Sequence, residues 1–264
     1  MISFVGAGPG APDLITVRGM RLIEQADVII YAGSLVNPKL LEYAKKDTEI
    51  YNSAKMTLEE VMEVMLTADA AKKSVVRLHT GDQSLYGAVR EQMDILDEEK
   101  REYESCPGVS ACFGAAASLN IEYTLPDVSQ TLIITRMEGV TPVPEKESIE
   151  SLAAHNASMA IYLSSGMLGE LSRRLIDGGL KNNTPAAIVY KATWPEERAF
   201  VCTVDTLEKT GKENDITKTA VVLVGDIITH VSYDRSKLYD PRFSTGFRDA
   251  RGEKKLNNTD EYHN

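Results

Sequence analysis

The sequence has few cysteines, a shortage of positive charge and no long apolar run, and each shortage excludes a class of protein. Its three cysteines, Cys106, Cys112 and Cys202, are odd in number and far apart, which favours reduced thiols over a disulfide framework. They form no C-x-x-C pair and the four histidines are scattered, so we expect no bound metal. No apolar run approaches the roughly 20 residues that a membrane helix needs, and no signal-peptide pattern opens the chain. We therefore expect a cytoplasmic protein without a membrane segment.

Basic residues are outnumbered, with 29 lysines and arginines against 39 aspartates and glutamates, for a net charge of −10. General nucleic-acid binding depends on a basic face, so we expect no nucleic-acid partner. The acidic balance still permits an anionic small substrate, because a few arginines or lysines in one cleft set the local field. The length of 264 residues, 43% of them apolar, suits a globular protein with two domains of about 120 residues each.

Short apolar runs alternate with stretches of helical period in the first part of the chain. The apolar runs predict strands at 2–5, 28–31, 74–78 and 102–106. Apolar residues at i, i+3 and i+4 predict helices at 14–26, 58–71 and 84–99. Thr57 and Glu60 have the spacing of a capping box at the start of the second helix. This alternation is typical of a parallel sheet covered by helices.

A second series follows a pause around residues 118–128, and strands dominate it. Its strands are predicted at 131–135, 158–163, 186–190, 199–203 and 220–225, and its longest helices at 148–155 and 167–178. We therefore predict two α/β domains, an N-terminal one over residues 1–118 and a C-terminal one over 119–230 with a more mixed sheet. Residues 231–264 turn polar and are predicted to be a tail that is partly disordered.

The chain opens with a glycine-rich turn that satisfies the loose dinucleotide-binding spacing G-x-G-x-x-G/A at Gly6, Gly8 and Ala11. A nicotinamide enzyme also needs an aspartate or glutamate at the end of its second strand, where it binds the ribose hydroxyls. Here the second strand runs to Tyr31 and ends in Ala32-Gly33-Ser34, which carries no carboxylate. The missing carboxylate argues against a nicotinamide dehydrogenase. A tight strand-to-helix connection is the simplest interpretation of the turn taken alone.

Two further turns repeat the arrangement of a strand, a small-residue turn and a helix. One contains Gly81 and Asp82 after the strand 74–78, and the other runs over 107–111 after the strand 102–106. Ligands of open α/β sheets bind at the carboxyl edge of the strands. Three turns at that edge predict a single cleft, lined by backbone amides and by one carboxylate.

These three turns resemble those of the tetrapyrrole methyltransferases, the S-adenosylmethionine enzymes of sirohaem and cobalamin synthesis. The family combines a GAGPG opening followed by D-L-x-T, a G-D-P-x-x-Y/F-G turn and a P-G-x-[ST]-A turn, and this chain has counterparts in order at 6–16, 81–87 and 107–111. The likeness runs from residue 2 to about residue 230. It implies the tetrapyrrole methylase fold, in which two α/β domains hold S-adenosyl-L-methionine in a cofactor cleft between them and release S-adenosyl-L-homocysteine. It also implies a homodimer and an anionic tetrapyrrole substrate.

Four stretches narrow the resemblance to one branch of the family. They are Tyr-Ala-Gly-Ser-Leu-Val at 31–36, His-Thr-Gly-Asp at 79–82, Thr-Pro-Val-Pro-Glu at 141–145 and Tyr-Lys-Ala-Thr-Trp-Pro at 190–195. They look like the branch that methylates C11 of precorrin-4 or cobalt-precorrin-4 in cobalamin (vitamin B12) biosynthesis. The alternatives are a methyltransferase acting at another position of a corrin or sirohaem precursor, and a module that binds the cofactor without chemistry. No motif tells a cobalt-containing substrate from a metal-free one.

The resemblance carries the family's cofactor contacts onto nine positions of this chain. They are Pro9, Gly81, Asp82, Gln83, Tyr86, Ser110, Ala111, Leu163 and Ala192. For Asp82 a helix N-cap is the competing interpretation. Substrate contacts are expected at His79, Arg136 and Lys191, for which a locally bonded imidazole and solvated surface cations are the competing interpretations.

The chain departs from the family pattern at two positions, Gln83 and Gly33. Gln83 stands where many relatives have proline, which loosens the second turn but keeps its amide and carboxylate. Gly33 stands where the sirohaem-forming relatives have a proposed catalytic aspartate. No catalytic residue is therefore assigned by transfer.

Overall fold

The computed structural model describes residues 1–229 and 232–251, and its first half contains a fully parallel five-stranded sheet. The strands and helices of this half are β1 (Ile2–Gly6), α1 (Val17–Gln25), β2 (Val28–Tyr31), β3 (Glu49–Asn52), α2 (Leu58–Ala70), β4 (Val75–His79), α3 (Arg90–Glu98), β5 (Tyr103–Cys106) and α4 (Ala111–Leu119). The strands pair in the order β3-β2-β4-β1-β5. The carboxyl ends of the central strands β1 and β4 therefore lie side by side.

The central strands are buried on both faces, as their continuous apolar sequence predicts. Val5 and Ile29 pack with residues of α1 on one face, while Phe4 and Ile30 pack with residues of α2 and α3 on the other. The four strands predicted in this half are confirmed, and so is the Thr57–Glu60 capping box. The edge strand β3 escapes prediction because its short sequence is largely exposed and carries little apolar signal.

The helix predicted at 84–99 begins only at Arg90. Tyr86 and Ala88 have φ angles of 57° and 47°, a left-handed conformation that cannot continue a right-handed helix. Residues 84–89 instead form a loop at the carboxyl edge of the sheet. This loop brings Tyr86 to the cleft described below.

The second half contains a mixed sheet, as predicted. Its elements are β6 (Leu132–Arg136), α5 (Ile149–Ala153), β7 (Ser158–Tyr162), α6 (Leu168–Asp177), β8 (Pro185–Tyr190), β9 (Arg198–Thr203), α7 (Leu207–Glu213) and β10 (Ala220–Val224). The strand order is β6-β7-β10-β8-β9, in which β6 and β7 are parallel and every other pair is antiparallel. The five strands predicted here are confirmed, whereas the short helix α7 was not predicted.

Helix α4 follows the first sheet in sequence but packs on the second. Its Cys112 and Ala115 are completely buried and share a core with Ala160 of β7 and Leu223 of β10. This helix is rich in alanine and glycine, and these small residues allow the close packing. The predicted domain division between residues 118 and 119 falls at the end of α4, and it stays a prediction.

Part of the predicted polar tail is described, and it forms hydrogen bonds within itself. Arg248 Nη2 donates to the carbonyl oxygens of Leu238, Asp240 and Phe243 at 3.0, 2.8 and 3.4 Å. The disorder predicted for the last residues lies outside the described residues, at 252–264. None of the helices in the described ranges is long and apolar enough to span a membrane.

Candidate functional site

The three glycine-rich turns meet at the carboxyl edge of the first sheet and bond to one another through backbone. Gly81 N donates to Gly8 O at 2.8 Å, and Gly8 N donates to Gly81 O at 3.1 Å. Ala7 N donates to His79 O at 2.7 Å and extends this pairing. The first and second turns are therefore fixed relative to each other by three hydrogen bonds that require no side chain.

The third turn packs so closely on the first two that only glycine fits. A Cβ on Gly108 would lie 2.1 Å from Gly81 O, and a Cβ on Gly6 would lie 2.6 Å from Gly108 Cα. Gly81 also has a φ of +59°, in the left-handed region where glycine is free of strain. The close backbone contacts explain Gly6 in the first turn and Gly108 in the third, and the positive φ explains Gly81 in the second.

Asp82 bonds the second turn to the third. Its Oδ2 accepts from Gly108 N at 2.8 Å, and its Oδ1 accepts from Ser84 N at 2.9 Å and from the Ser84 hydroxyl. Burial raises the pKa of this carboxyl, but the hydrogen bonds from Ser84 and Gly108 outweigh that effect, so the pKa lies below its ordinary value. Asp82 is therefore ionised at neutral pH and stands at the edge of the cleft.

The loop after β8, from the second half, closes over the first turn through side chains. Trp194 Nε1 donates to Pro9 O at 3.1 Å, and Thr193 Oγ1 accepts from Ala11 N at 3.0 Å. A Cβ on Gly10 would lie 2.1 Å from Cδ1 of the indole, so the ring lies directly against the turn. The glycine-rich opening is thus held between its own sheet and the Thr193–Trp194 loop.

A cleft of about 900 Å³, its open mouth included, lies between the two halves. The residues that line it are Pro9, Leu35, Thr80, Gly81, Asp82, Leu85, Tyr86, Ser110, Ala111, Tyr162, Leu163, Ser165, Val189, Lys191, Ala192, Trp194, Thr219, Ala220 and Val221. Tyr86, Leu163 and Lys191 in this lining are left-handed, with φ of 57°, 53° and 47°. Non-glycine residues in this conformation cost free energy and cluster at functional sites, which points to this cleft.

Eight of the nine residues predicted to bind cofactor line this cleft. Gln83 is the exception, since the residue is 5% exposed and does not line the cleft. Within the described residues its Oε1 is buried without a hydrogen-bond partner. The structure thus brings eight predicted residues, distant in sequence from Pro9 to Ala192, into the lining of one cleft. The role of each residue in cofactor binding stays a prediction.

The three residues predicted to bind substrate lie in different settings. Lys191 lines the cleft, with its Nζ 3.3 Å from Glu196 Oε1 and 5.4 Å from the centre of the Trp194 ring. Arg136 donates to the carbonyl oxygens of Met137, Thr141 and Pro142, so its guanidinium holds the loop that follows β6.

His79 lies behind the cleft and does not line it. It is 4% exposed and stacks near Phe4, with ring centroids 6.3 Å apart. Burial, and then the charge of Arg77, lower the pKa of His79 to about 3. The imidazole is therefore neutral at physiological pH, and its burial weighs against the predicted substrate contact.

Tyr162 is a cleft residue that the sequence analysis missed. Its hydroxyl lies 2.8 Å from Ser110 Oγ and accepts from Cys112 N at 2.7 Å. Its position at the end of a predicted strand was the only available signal. The described part of the chain brings no three histidine, cysteine, aspartate or glutamate side chains together in the way that a metal site needs.

Comparison with known proteins agrees with this geometry. The family model described as tetrapyrrole (corrin/porphyrin) methylases matches residues 1–208. A relative named cobalt-precorrin-4 C(11)-methyltransferase, from Methanocaldococcus jannaschii, is 52% identical over 94% of this chain and 95% of its own length.

Two solved structures share the fold. A cobalt precorrin-4 methyltransferase, titled a cobalamin biosynthetic enzyme, is 44% identical with a TM-score of 0.84 over 86% of this chain and 95% of its own. The uroporphyrin-III C-methyltransferase from Thermus thermophilus, complexed with S-adenosyl homocysteine, is 23% identical with a TM-score of 0.72 over 86% of this chain and 98% of its own. The glycine turns, the cleft between two sheets and these matches lead to one conclusion: the chain belongs to the tetrapyrrole (corrin/porphyrin) methylases.

Proposed function

We propose that this protein transfers a methyl group from S-adenosylmethionine to C11 of precorrin-4 or cobalt-precorrin-4, a step of cobalamin biosynthesis. The observation that carries the proposal is the cleft itself, where three backbone-packed glycine turns face the Thr193–Trp194 loop. The 52% identity to a relative named for this reaction on the cobalt-containing substrate supports it. Cobalt-precorrin-4 is therefore the first substrate to test.

The polar groups of the cleft fit a positively charged sulfonium cofactor. Of the lining residues, all within the described part of the chain, Asp82 is the one carboxylate and Lys191 the one cation. The ammonium group of Lys191 is paired with Glu196, which reduces its repulsion of a positive ligand. Hydroxyl groups and the backbone of the glycine turns supply the remaining polar surface. We propose that eight of the predicted cofactor residues contact S-adenosylmethionine and that Gln83 supports the second turn from behind.

The apolar mouth of the cleft suits a flat macrocycle. Leu35, Tyr86 and Leu163 line the cleft and are 38%, 43% and 63% exposed, so they give it accessible apolar surface. Lys191 lines the same cleft and is the cation that would meet an acidic side chain of the substrate. Arg136 would act through the loop that it holds.

Positioning is the main contribution that these residues make to the reaction. Bound S-adenosylmethionine supplies an electrophilic methyl group, which leaves a neutral thioether behind when it is transferred. The rigid backbone turns fix one wall and the Thr193–Trp194 loop fixes the other, so that donor and acceptor are held in line. Alignment of this kind can lower a barrier by several kcal/mol without a dedicated base. No side chain is assigned as a general base, and the substrate's conjugated ring system is able to carry the electron flow.

Three further properties belong to this proposal. We propose a cytoplasmic location, which the cysteine usage and the lack of a long apolar run favour, and a homodimer, which the family resemblance implies. We also propose no nucleic-acid partner, which the net charge of −10 favours. The competing function is methylation at another position of a corrin or sirohaem precursor.

Calorimetric titration with S-adenosylhomocysteine, followed by a methyl-transfer assay, tests the proposal. We expect micromolar binding of S-adenosylhomocysteine, none of NADH, and one methyl group added at C11 of cobalt-precorrin-4 or precorrin-4, located by carbon-13 labelling of the donor methyl. Methylation at a different carbon would establish the competing function. Lack of binding to S-adenosylhomocysteine would overturn the proposal.

A pair of lysine variants tests the substrate side. We expect Lys191→Met to raise the KM for the tetrapyrrole about fivefold or more, since a cation at the mouth is lost, with little change in the KM for the donor. Lys209→Met removes a cation from an exposed helix and is the matched control. Equal KM values in the two variants would remove Lys191 from the substrate site.

A further inference from the structure

The start of helix α4 is capped in an unusual way. Ser110 occupies the N-cap position, where a serine hydroxyl normally accepts an N–H of the first turn, yet its side chain makes no such bond. Its Oγ instead lies 2.8 Å from the hydroxyl of Tyr162. Ser110 therefore leaves the backbone donors at the beginning of the helix to another partner.

That partner is Tyr162, which belongs to the other half of the molecule. Its Oη accepts from Cys112 N at 2.7 Å, and Cys112 is the second residue of α4. The first N–H groups of a helix have no partner inside the helix, so a phenol from β7 takes the role that Ser110 gives up. Tyr162 thus joins the third glycine turn to the second sheet at the wall of the cleft.

The hydroxyl groups of Ser110 and Tyr162 together keep one hydrogen-bond donor free. Burial raises the pKa of the Tyr162 phenol, so both hydroxyls of the Ser110–Tyr162 pair are protonated at neutral pH. One proton lies in the hydrogen bond between them, whichever residue donates. The other remains available, and both residues line the cleft.

Tyr162 also contacts the second turn. Its ring centroid lies 5.6 Å from that of Tyr86, whose left-handed backbone holds it at the mouth of the cleft. The neighbouring residue, Leu163, is left-handed as well and 63% exposed. One side chain from the second sheet therefore contacts residues of two cofactor turns that originate in the first half.

We propose that Tyr162 is a positioning residue, whose hydroxyl fixes the third turn and Ser110 in the geometry that binds S-adenosylmethionine. The inference rests on the proposed function, since it concerns the same cleft. The Tyr162 hydroxyl, which belongs to the second half, would thus strengthen cofactor binding through its hydrogen bond to the backbone of Cys112.

The chain offers a closely matched control in Tyr123. Its hydroxyl donates to Cys112 O at 2.6 Å, so the same residue of α4 bonds to one phenol through its N–H and to another through its carbonyl. Tyr123 is 7% exposed and does not line the cleft. Tyr162→Phe and Tyr123→Phe therefore each remove a phenol oxygen that bonds to Cys112, one from a residue of the cleft lining and one from a residue outside it.

Affinity for S-adenosylhomocysteine, measured by calorimetry on the full chain well below the melting temperature, separates the two roles. We expect Tyr162→Phe to raise the Kd about five- to tenfold, the loss of one or two hydrogen bonds, and Tyr123→Phe to change it less than twofold. Both variants should unfold at lower temperature than the parent protein. In turnover, Tyr162→Phe should raise the KM for the methyl donor by the same factor and change kcat less than twofold.

In a Ser110→Ala background, Tyr162→Phe should cost less affinity than it does in the parent protein, because the hydrogen bond between the two hydroxyls is already lost. An unchanged Kd in Tyr162→Phe, or an equal loss in Tyr123→Phe, would overturn this inference alone. If the parent protein failed to bind S-adenosylhomocysteine, the proposed function would fall first and this inference with it.

Discussion

The two halves of the molecule line the same cleft with different parts of the chain. The first half contributes backbone, because Gly6 and Gly108 pack without space for a Cβ and Gly81 has a φ of +59° that favours glycine. The second half contributes side chains, through the indole of Trp194 and the hydroxyl of Tyr162. Both walls are held by hydrogen bonds of ordinary length.

This difference predicts how each wall tolerates substitution. A backbone wall is insensitive to side-chain chemistry but cannot accept any added atom, since the surrounding peptide groups would have to move. A side-chain wall loses one contact at a time, so its variants should be graded. The predictions that follow test this contrast, beginning with the largest effect.

Gly108→Ala should be the most damaging small substitution in the first wall. The new Cβ would lie 2.1 Å from Gly81 O, so the second and third turns would have to separate. We expect the free energy of unfolding to fall by about 3 kcal/mol and binding of S-adenosylhomocysteine to be lost. Chemical denaturation and calorimetry measure the two effects. Gly246→Ala, which places the same methyl group in open space, is the control, and equal stability of the two variants would contradict the backbone packing.

Lowering the pH should weaken the first half through His79. Its pKa is lowered from 6.5 to about 3 by burial and by Arg77, so below pH 6.5 the unfolded chain takes up a proton that the folded chain does not. Stability is therefore complete above pH 6.5 and falls toward pH 3. We expect a loss of about 2 kcal/mol between pH 6.5 and pH 5 from this residue.

Denaturation at several pH values, compared between the parent protein and His79→Gln, measures this contribution. The variant should show a smaller slope of stability against pH. His155→Gln, which removes an exposed imidazole from the second half, is the control for replacing a histidine by glutamine. An equal slope in the parent protein and His79→Gln would show that His79 titrates as freely when folded as when unfolded.

Thr193→Val should have the smallest effect, as expected for a side-chain wall. Valine keeps the shape of threonine but removes the Oγ1 acceptor of Ala11 N. We expect a loss of about 1 kcal/mol in the free energy of unfolding and a Kd for S-adenosylhomocysteine raised severalfold. Thr48→Val removes a hydroxyl that donates to Ala26 O at 2.9 Å, away from the cleft. It should cost similar stability without changing affinity, and a matching loss of affinity in both would refute a local effect.

Local sequence predicts the sheets well because their signals are local. The buried strand at Val28–Tyr31 and the capping box at Thr57 depend on residues within a few positions of one another. Edge strand β3 was missed because exposure leaves it with little apolar pattern. The loop at 84–89 was taken for helix because nothing in its composition reveals the left-handed backbone of Tyr86 and Ala88.

Only the part of the cleft formed by short sequence motifs could be predicted from the sequence. The motifs located Gly81, Asp82 and Ser110, since their spacing within each turn is fixed. They could not show that Gln83 and His79 are buried outside the lining of the cleft, because that outcome depends on packing between distant elements. The bond from Cys112 to Tyr162 joins residues 50 positions apart, which no local pattern encodes.

The position of β10 determines when the second sheet can form during translation. The first sheet has all its strands once Cys106 has left the ribosome, whereas β10, the last of the described strands in sequence, lies in the middle of the second sheet. Until it emerges, β7 and β8 lack the neighbour that joins them. At translation rates of about 5 to 20 residues per second, a nascent chain waits on the order of ten seconds with a finished first half and unpaired strand edges. Cofactor capture is therefore postponed until β10 has been made, and the interval before it is the time when the chain most needs protection from aggregation.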